Sequence, residues 1–176
     1  MSDLLLRNII ANVLVEEAEK TVGIREEGGE NRGKFIEEFQ RTVDGRAVQE
    51  PWCMSWLQTI VARTCTRFGA KNLFPQSELC RAVWLSTPLK YRSKVPFWGY
   101  AVLWRGHCGL VTLTYKRSFN TIEGNTNQAG SREGDGVYRK TRSIAGGVNA
   151  FTILGYVDLP TMILDGIPAP IVKESE

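Results

Sequence analysis

The hydrophobic period of this chain changes once, near residue 99, and that change limits the folds open to it. Before residue 99 apolar residues recur at three- and four-residue intervals, and after it they alternate. A chain that lays down its helices first and its strands second does not build the alternating units of a parallel sheet. It is directed instead to an α+β layout, with N-terminal helices packed on an antiparallel sheet of about five strands. A chain of 176 residues fits one domain and can bury a sizeable core. One domain over 1–176 is therefore expected. Its helical part spans about 3–85 and its sheet about 99–158, and an irregular tail over 159–176 is marked by Pro160, Pro168 and Pro170.

The first helix is predicted over 3–21, with Leu6, Ile9, Ile10, Val13 and Leu14 as its apolar stripe and Gly23 as its stop. The run Arg25-Glu26-Glu27-Gly28-Gly29-Glu30-Asn31-Arg32-Gly33 is a loop. It is not a phosphate loop, because no Gly-Lys-Ser/Thr follows it. A short helix is predicted over 34–42, with Phe35, Ile36 and Phe39 inward. Another runs from Cys53 to about Phe68, where Gly69 ends it. A third short helix is expected between Pro75 and Leu85, with Leu79, Ala82 and Val83 on its apolar side. Residues 86–98 read as irregular. The predicted strands are Gly99–Arg105, His107–Lys116, Phe119–Asn125, Val137–Ser143 and Ala150–Asp158.

Composition narrows the functional classes. With 43% apolar and 23% charged residues the chain is typical of soluble globular proteins. No apolar run approaches the roughly 20 residues that a membrane span needs. The start, Met1-Ser2-Asp3-Leu4, has no basic leader and no cleavage signal. Synthesis in the cytoplasm without a signal peptide is expected, so work outside the cell requires release or another export route. Cys53, Cys65, Cys80 and Cys108 are too few for a disulfide scaffold and include no C-x-x-C pair. His107-Cys108 with Cys65 and Cys80 lacks the usual zinc spacing, so neither a metal nor a cofactor is predicted. The net charge of +3 divides into −4 over residues 1–50 and +7 over 51–176. That division suits either an anionic partner or a merely solvated surface. The basic residues Lys90, Arg92, Lys94, Lys116, Arg117, Arg139, Lys140 and Arg142 are scattered and form no nucleic-acid-binding motif. A monomer is expected.

The chemistry centres on Gln49-Glu50-Pro51-Trp52-Cys53-Met54-Ser55-Trp56-Leu57. Pro51 reads as lying just inside a helix start, where a missing N–H costs least. Cys53 falls in the first turn, where free N–H groups and the helix dipole favour a thiolate. It shares a helix face with Trp56, Leu57 and Ile60, so a buried core cysteine is the competing reading. His107 is the one histidine of the chain and hence the obvious general base near neutral pH. The next strand ends in Thr121-Ile122-Glu123-Gly124-Asn125. Glu123 and Asn125, two apart, emerge on one face and can reach the imidazole, while Gly124 allows another group a close approach. An orienting carboxylate or amide would complete a triad. Otherwise Glu123 and Asn125 are ordinary strand-end residues.

Pro51-Trp52-Cys53, Gly106-His107-Cys108-Gly109 and Ile122-Glu123-Gly124-Asn125 resemble, in order and spacing, the three motifs of the CHAP domain, the cysteine, histidine-dependent amidohydrolase/peptidase. The segment Gly23–Phe39 is similar to the leader region of small bacterial and phage proteins of this type. The resemblance covers most of residues 15–157. It implies a papain-like fold and a phage-endolysin-like cysteine hydrolase of peptidoglycan. Such an enzyme cleaves an amide bond of the wall peptide, as an endopeptidase or as an N-acetylmuramoyl-L-alanine amidase. On that resemblance Cys53 is the nucleophile, His107 the base, Glu123 its orienter and Asn125 an assistant. Trp52, Asn31, Trp104 and Gln49 are the candidate substrate-binding residues. Gln49 lies closer to the cysteine than papain's oxyanion-hole glutamine, so the Cys53 backbone N–H is the preferred oxyanion donor. Val43-Asp44-Gly45-Arg46-Ala47-Val48 has a single aspartate, so the calcium loop of some phage members is not expected here. No separate wall-binding domain is recognised, and the implied partner is the anionic cell wall. Two other classes stay open: a papain-like protease or isopeptidase acting on proteins, and a non-catalytic wall-binding module.

Overall fold

The computed structural model describes residues 2–147 and 151–169. Its helices are α1 (Asp3–Glu19), α2 (Lys34–Asp44), α3 (Cys53–Phe68) and α4 (Cys80–Ser86), followed by a single 3-10 turn at Leu89–Tyr91. Six strands come next: β1 (Arg92–Ser93), β2 (Ala101–Trp104), β3 (Cys108–Thr114), β4 (Ser118–Thr126), β5 (Gly136–Ser143) and β6 (Ile153–Val157). The helix α5 (Leu159–Asp165) follows β6. The fold is α+β, with helices packed on one antiparallel sheet. No helix among the described residues is long and apolar enough to cross a membrane.

Local chemistry sets the element ends. Ser2 Oγ accepts from Leu5 N at 3.4 Å and caps α1. Gly45 and Gly69 adopt the left-handed conformation, at φ 83° and φ 60°, that terminates α2 and α3. The helix α3 begins at Cys53, so Pro51 precedes the cap residue Trp52 rather than occupying the first turn.

The sheet order is β1-β6-β2-β3-β4-β5, with every neighbouring pair antiparallel. The last strand inserts between β1 and β2, so β6 is an interior strand rather than an edge. Alternation along β2 splits the core. Ala101 and Leu103 face the helices, whereas Val102 and Trp104 face a second cluster with Val111, Phe119 and Tyr156. Eleven of the sixteen residues of α3 are buried, making it the most enclosed helix. It lies directly on β4, and Gly124 permits this. A Cβ at that position would sit 2.7 Å from Trp56 Cγ and 3.0 Å from Trp52 Cζ3.

Several expectations require correction. Two-residue β1 lies in the stretch read as irregular and forms only because β6 offers it an edge. The tail is not irregular from Pro160 onward. Asp158 Oδ1 caps α5 by accepting from Thr161 N at 3.0 Å, and Pro160 sits in the first turn, where a proline is tolerated. Arg7 then ties α5 to α1 through Asp158 and Thr161 and reaches Tyr100 on the sheet side. Residues 170–176, and Ala150 at the start of the predicted fifth strand, lie outside the described residues. Phe35 is exposed rather than inward, because the buried face of α2 is Ile36, Phe39 and Gln40. Leu79 is exposed as well, since α4 starts one residue later and buries Cys80 and Val83.

Gly124→Ala should destabilise the protein by roughly 1–3 kcal/mol, because α3 must lift from β4 to admit the methyl group. Urea unfolding followed by circular dichroism measures this. An unchanged midpoint would show that the contact does not hold the two layers together.

Candidate active site

The site forms where the start of α3 meets the end of the β2–β3 turn. Cys53 is the first residue of α3, and its backbone N–H has no intrahelical partner. The side chain is 6% exposed. Its thiol is held well below the usual cysteine range, first by hydrogen bonding from Cys108 and Cys80, then by His107, against the cost of burial. Cys80 was not among the residues expected at this site. It arrives on the first residue of α4, and Cys108 on the first residue of β3.

His107 is fully buried. Its Nε2 lies 2.9 Å from Glu123 Oε2. Its Nδ1 has no hydrogen-bond partner among the described residues and is the nitrogen available to the neighbouring Cys53 thiol. The ring stacks on Trp104 at 5.7 Å between centroids and meets the edge of Phe151 at 5.5 Å. Burial opposes the imidazolium, but Cys53 and Glu123 together raise its pKa to about 9. A depressed thiol beside a raised imidazole is the arrangement that carries a thiolate–imidazolium pair.

Glu123 is also fully buried, which would ordinarily favour its neutral form. Arg142 and His107 outweigh that cost and bring its pKa down to about 2. Arg142 grips both carboxylate oxygens, with Nε 2.8 Å from Oε1 and Nη2 on Oε2, and Thr121 Oγ1 donates to Oε1. The guanidinium lies over the Phe151 ring at 4.4 Å and the Trp104 ring at 5.5 Å. Arg142 figured in the sequence only as one scattered basic residue. No sequence signal marks it: the register sets Glu123 opposite Tyr138 and Arg142 opposite Phe119, and only the reach of the guanidinium along the shared face brings the two together. Gly109 makes room for the carboxylate, since a Cβ there would sit 2.7 Å from Glu123 Cγ.

The remaining predicted residues divide. Cys53, His107 and Glu123 come together. Asn125 makes no hydrogen bond to them. A bulge between Glu123 and Thr126 places Asn125 at φ 53° and breaks the alternation that would have set it beside Glu123. Both of its side-chain polar atoms are buried without a hydrogen-bond partner among the described residues. Trp52 is wholly buried, stacked on Phe39 with its indole N–H donating to Glu26 Oε1, and leaves no face for a substrate. Trp104 is the wall behind His107 rather than part of an open groove. Asn31 and Gln49 meet each other, Asn31 Nδ2 donating to the Gln49 carbonyl at 3.2 Å, and so tie the glycine-rich loop to the segment before Cys53.

Cys53 opens instead onto a cleft of about 480 Å³ that none of those four residues lines. Its walls include Cys80, Glu78, Arg81, Arg105, Arg132 and Glu133. Burial and the neighbouring Glu50 raise the Glu78 carboxyl to about 7. No family model, curated protein or solved structure matches this chain.

Two outcomes test this geometry. Iodoacetamide at neutral pH should label Cys53 well ahead of Cys65, whose thiol burial pushes up to about 11. Peptide mapping of the labelled sites measures the order, and equal rates would exclude a thiolate at Cys53. Arg142→Met should cost roughly 2–4 kcal/mol of stability, because it strips a buried carboxylate of its main cation. Denaturant unfolding reads this loss.

Proposed function

We propose that the protein is a cysteine hydrolase of peptidoglycan that cleaves an amide bond of the cell-wall peptide through Cys53, His107 and Glu123. The observation that carries the hydrolase reading is the buried chain Arg142–Glu123–His107 ending at a depressed thiol that faces a cleft. The wall as substrate rests on the resemblance of the three motifs to the CHAP domain. A volume of about 480 Å³ suits a short peptide segment. Arg81, Arg105 and Arg132 on its walls supply planar forks for the carboxylates of a wall peptide.

In this reaction the Cys53 thiolate adds to the amide carbonyl carbon, and the orphan backbone N–H of Cys53 receives the developing oxyanion. The protonated His107 gives its Nδ1 proton to the departing amine as the C–N bond breaks, leaving a thioester on Cys53. Neutral His107 then takes a proton from water. The resulting hydroxide attacks the thioester, and the acid departs from a restored thiolate and imidazolium. Glu123 stabilises the imidazolium in both halves of the cycle, and Arg142 keeps Glu123 ionised. Gly109 leaves room for the Glu123 side chain, and Trp104 backs the imidazole.

Cys53→Ser and His107→Ala should each reduce lysis of purified cell walls by roughly a thousandfold or more, while circular dichroism stays that of the parent. Undiminished lysis by either variant would overturn the mechanism. Mass spectrometry of the muropeptides released by the parent protein identifies the bond from its new ends. Absence of any new end, with cleavage of a protein substrate instead, would move the activity to proteins.

A further inference from the structure

The hydrolytic reading uses one thiol, yet three converge. The sulfur atoms of Cys53, Cys80 and Cys108 all lie within 4.8 Å of one another, and all three side chains are buried. They come from three separate elements, the first residues of α3, α4 and β3, so no short sequence spacing announces them. We propose that these three cysteines form a binding site for a soft divalent cation of the zinc type.

Geometry and chemistry support this assignment. A zinc–thiolate bond of about 2.3 Å places tetrahedral sulfurs about 3.8 Å apart. Sulfurs already within 4.8 Å of one another need close by only about 1 Å to meet an ion. The donor set is all thiol, which selects zinc, cadmium or copper(I) and disfavours calcium and magnesium, whose ligands are oxygens. The gathering is specific to the thiols: the ring nitrogens of His107 do not belong to the cluster, and among the described residues only the three sulfurs converge within that distance. Cys53 and Cys80 also line the cleft, which gives an ion a way in and leaves an open coordination position facing solvent. Binding releases the remaining thiol protons to solvent. Cys65, the other cysteine of α3, stands outside the cluster and serves as the internal control.

An ion held here withdraws the Cys53 sulfur from the cleft. That consequence rests on the hydrolase reading, whereas the binding itself does not.

The test uses metal-free full-length protein titrated with Cd²⁺ and monitored by the ultraviolet thiolate-to-cadmium charge-transfer band. One ion per chain is expected. Cys80→Ser and Cys108→Ser should each weaken binding at least tenfold, and Cys65→Ser should leave it unchanged. Because a variant can fail to fold, X-ray absorption on the zinc-loaded parent protein provides a second reading, with three sulfur ligands expected at about 2.3 Å. Absence of the charge-transfer band, fewer than three sulfurs, or equal loss on replacing Cys65 would overturn the site. Neither readout involves wall lysis, so a failed metal site and a failed hydrolase are told apart.

Discussion

A carboxylate with no exposure to water must be compensated where it stands, and the site depends on how this fold meets that demand for Glu123. Arg142 supplies a two-pronged grip from the neighbouring strand, Thr121 adds a hydroxyl, and His107 takes the remaining direction. The same contacts that neutralise the cost of burial also fix the imidazole. Its Nε2 is committed to Glu123 and its Nδ1 is left over, which is the division of labour a general base needs. Trp104 and Phe151 complete the enclosure by packing against both the imidazole and the guanidinium.

Two glycines allow the layers to meet closely enough for this. Gly109 on β3 clears the space that the Glu123 side chain fills, and Gly124 on β4 clears the space that Trp56 and Trp52 fill from the helix side. They act on opposite faces of the sheet. One brings the orienting group against its neighbour, and the other brings the helix that carries Cys53 down onto the strand. The site is thus set by backbone approach distances, which only residues without a Cβ can provide.

Much of this was legible in the sequence. The switch from a 3.6 to a 2 period separates helices from strands, and the end of α3 at Gly69 falls where the pattern places it. Cys53, His107 and Glu123 stand out by residue type and by their place at element ends. Other features depend on partners remote in sequence. The brief β1 needs β6, and α5 is held by the Asp158 cap and the Arg7 contact. Asn125 followed the period-2 rule on paper and left it in the fold, because a bulge inserts one residue into β4. Trp52 and Trp104 were candidate substrate-binding residues, yet both are buried against other rings.

By itself, then, the sequence determined the fold class, the succession of helices before strands and the three residue types of the proposed chemistry, because these follow from local periodicity and intrinsic reactivity. Only the tertiary structure decided that Arg142 anchors Glu123 and that the Asn125 side chain makes no hydrogen bond to His107. It also decided that Cys80 and Cys108 gather around Cys53 while Cys65 does not. The physical reason is shared. Side-chain encounters across a sheet, or between helix ends and a strand, are fixed by register, bulges and closeness of packing, and none of these leaves a short-range signature in the chain.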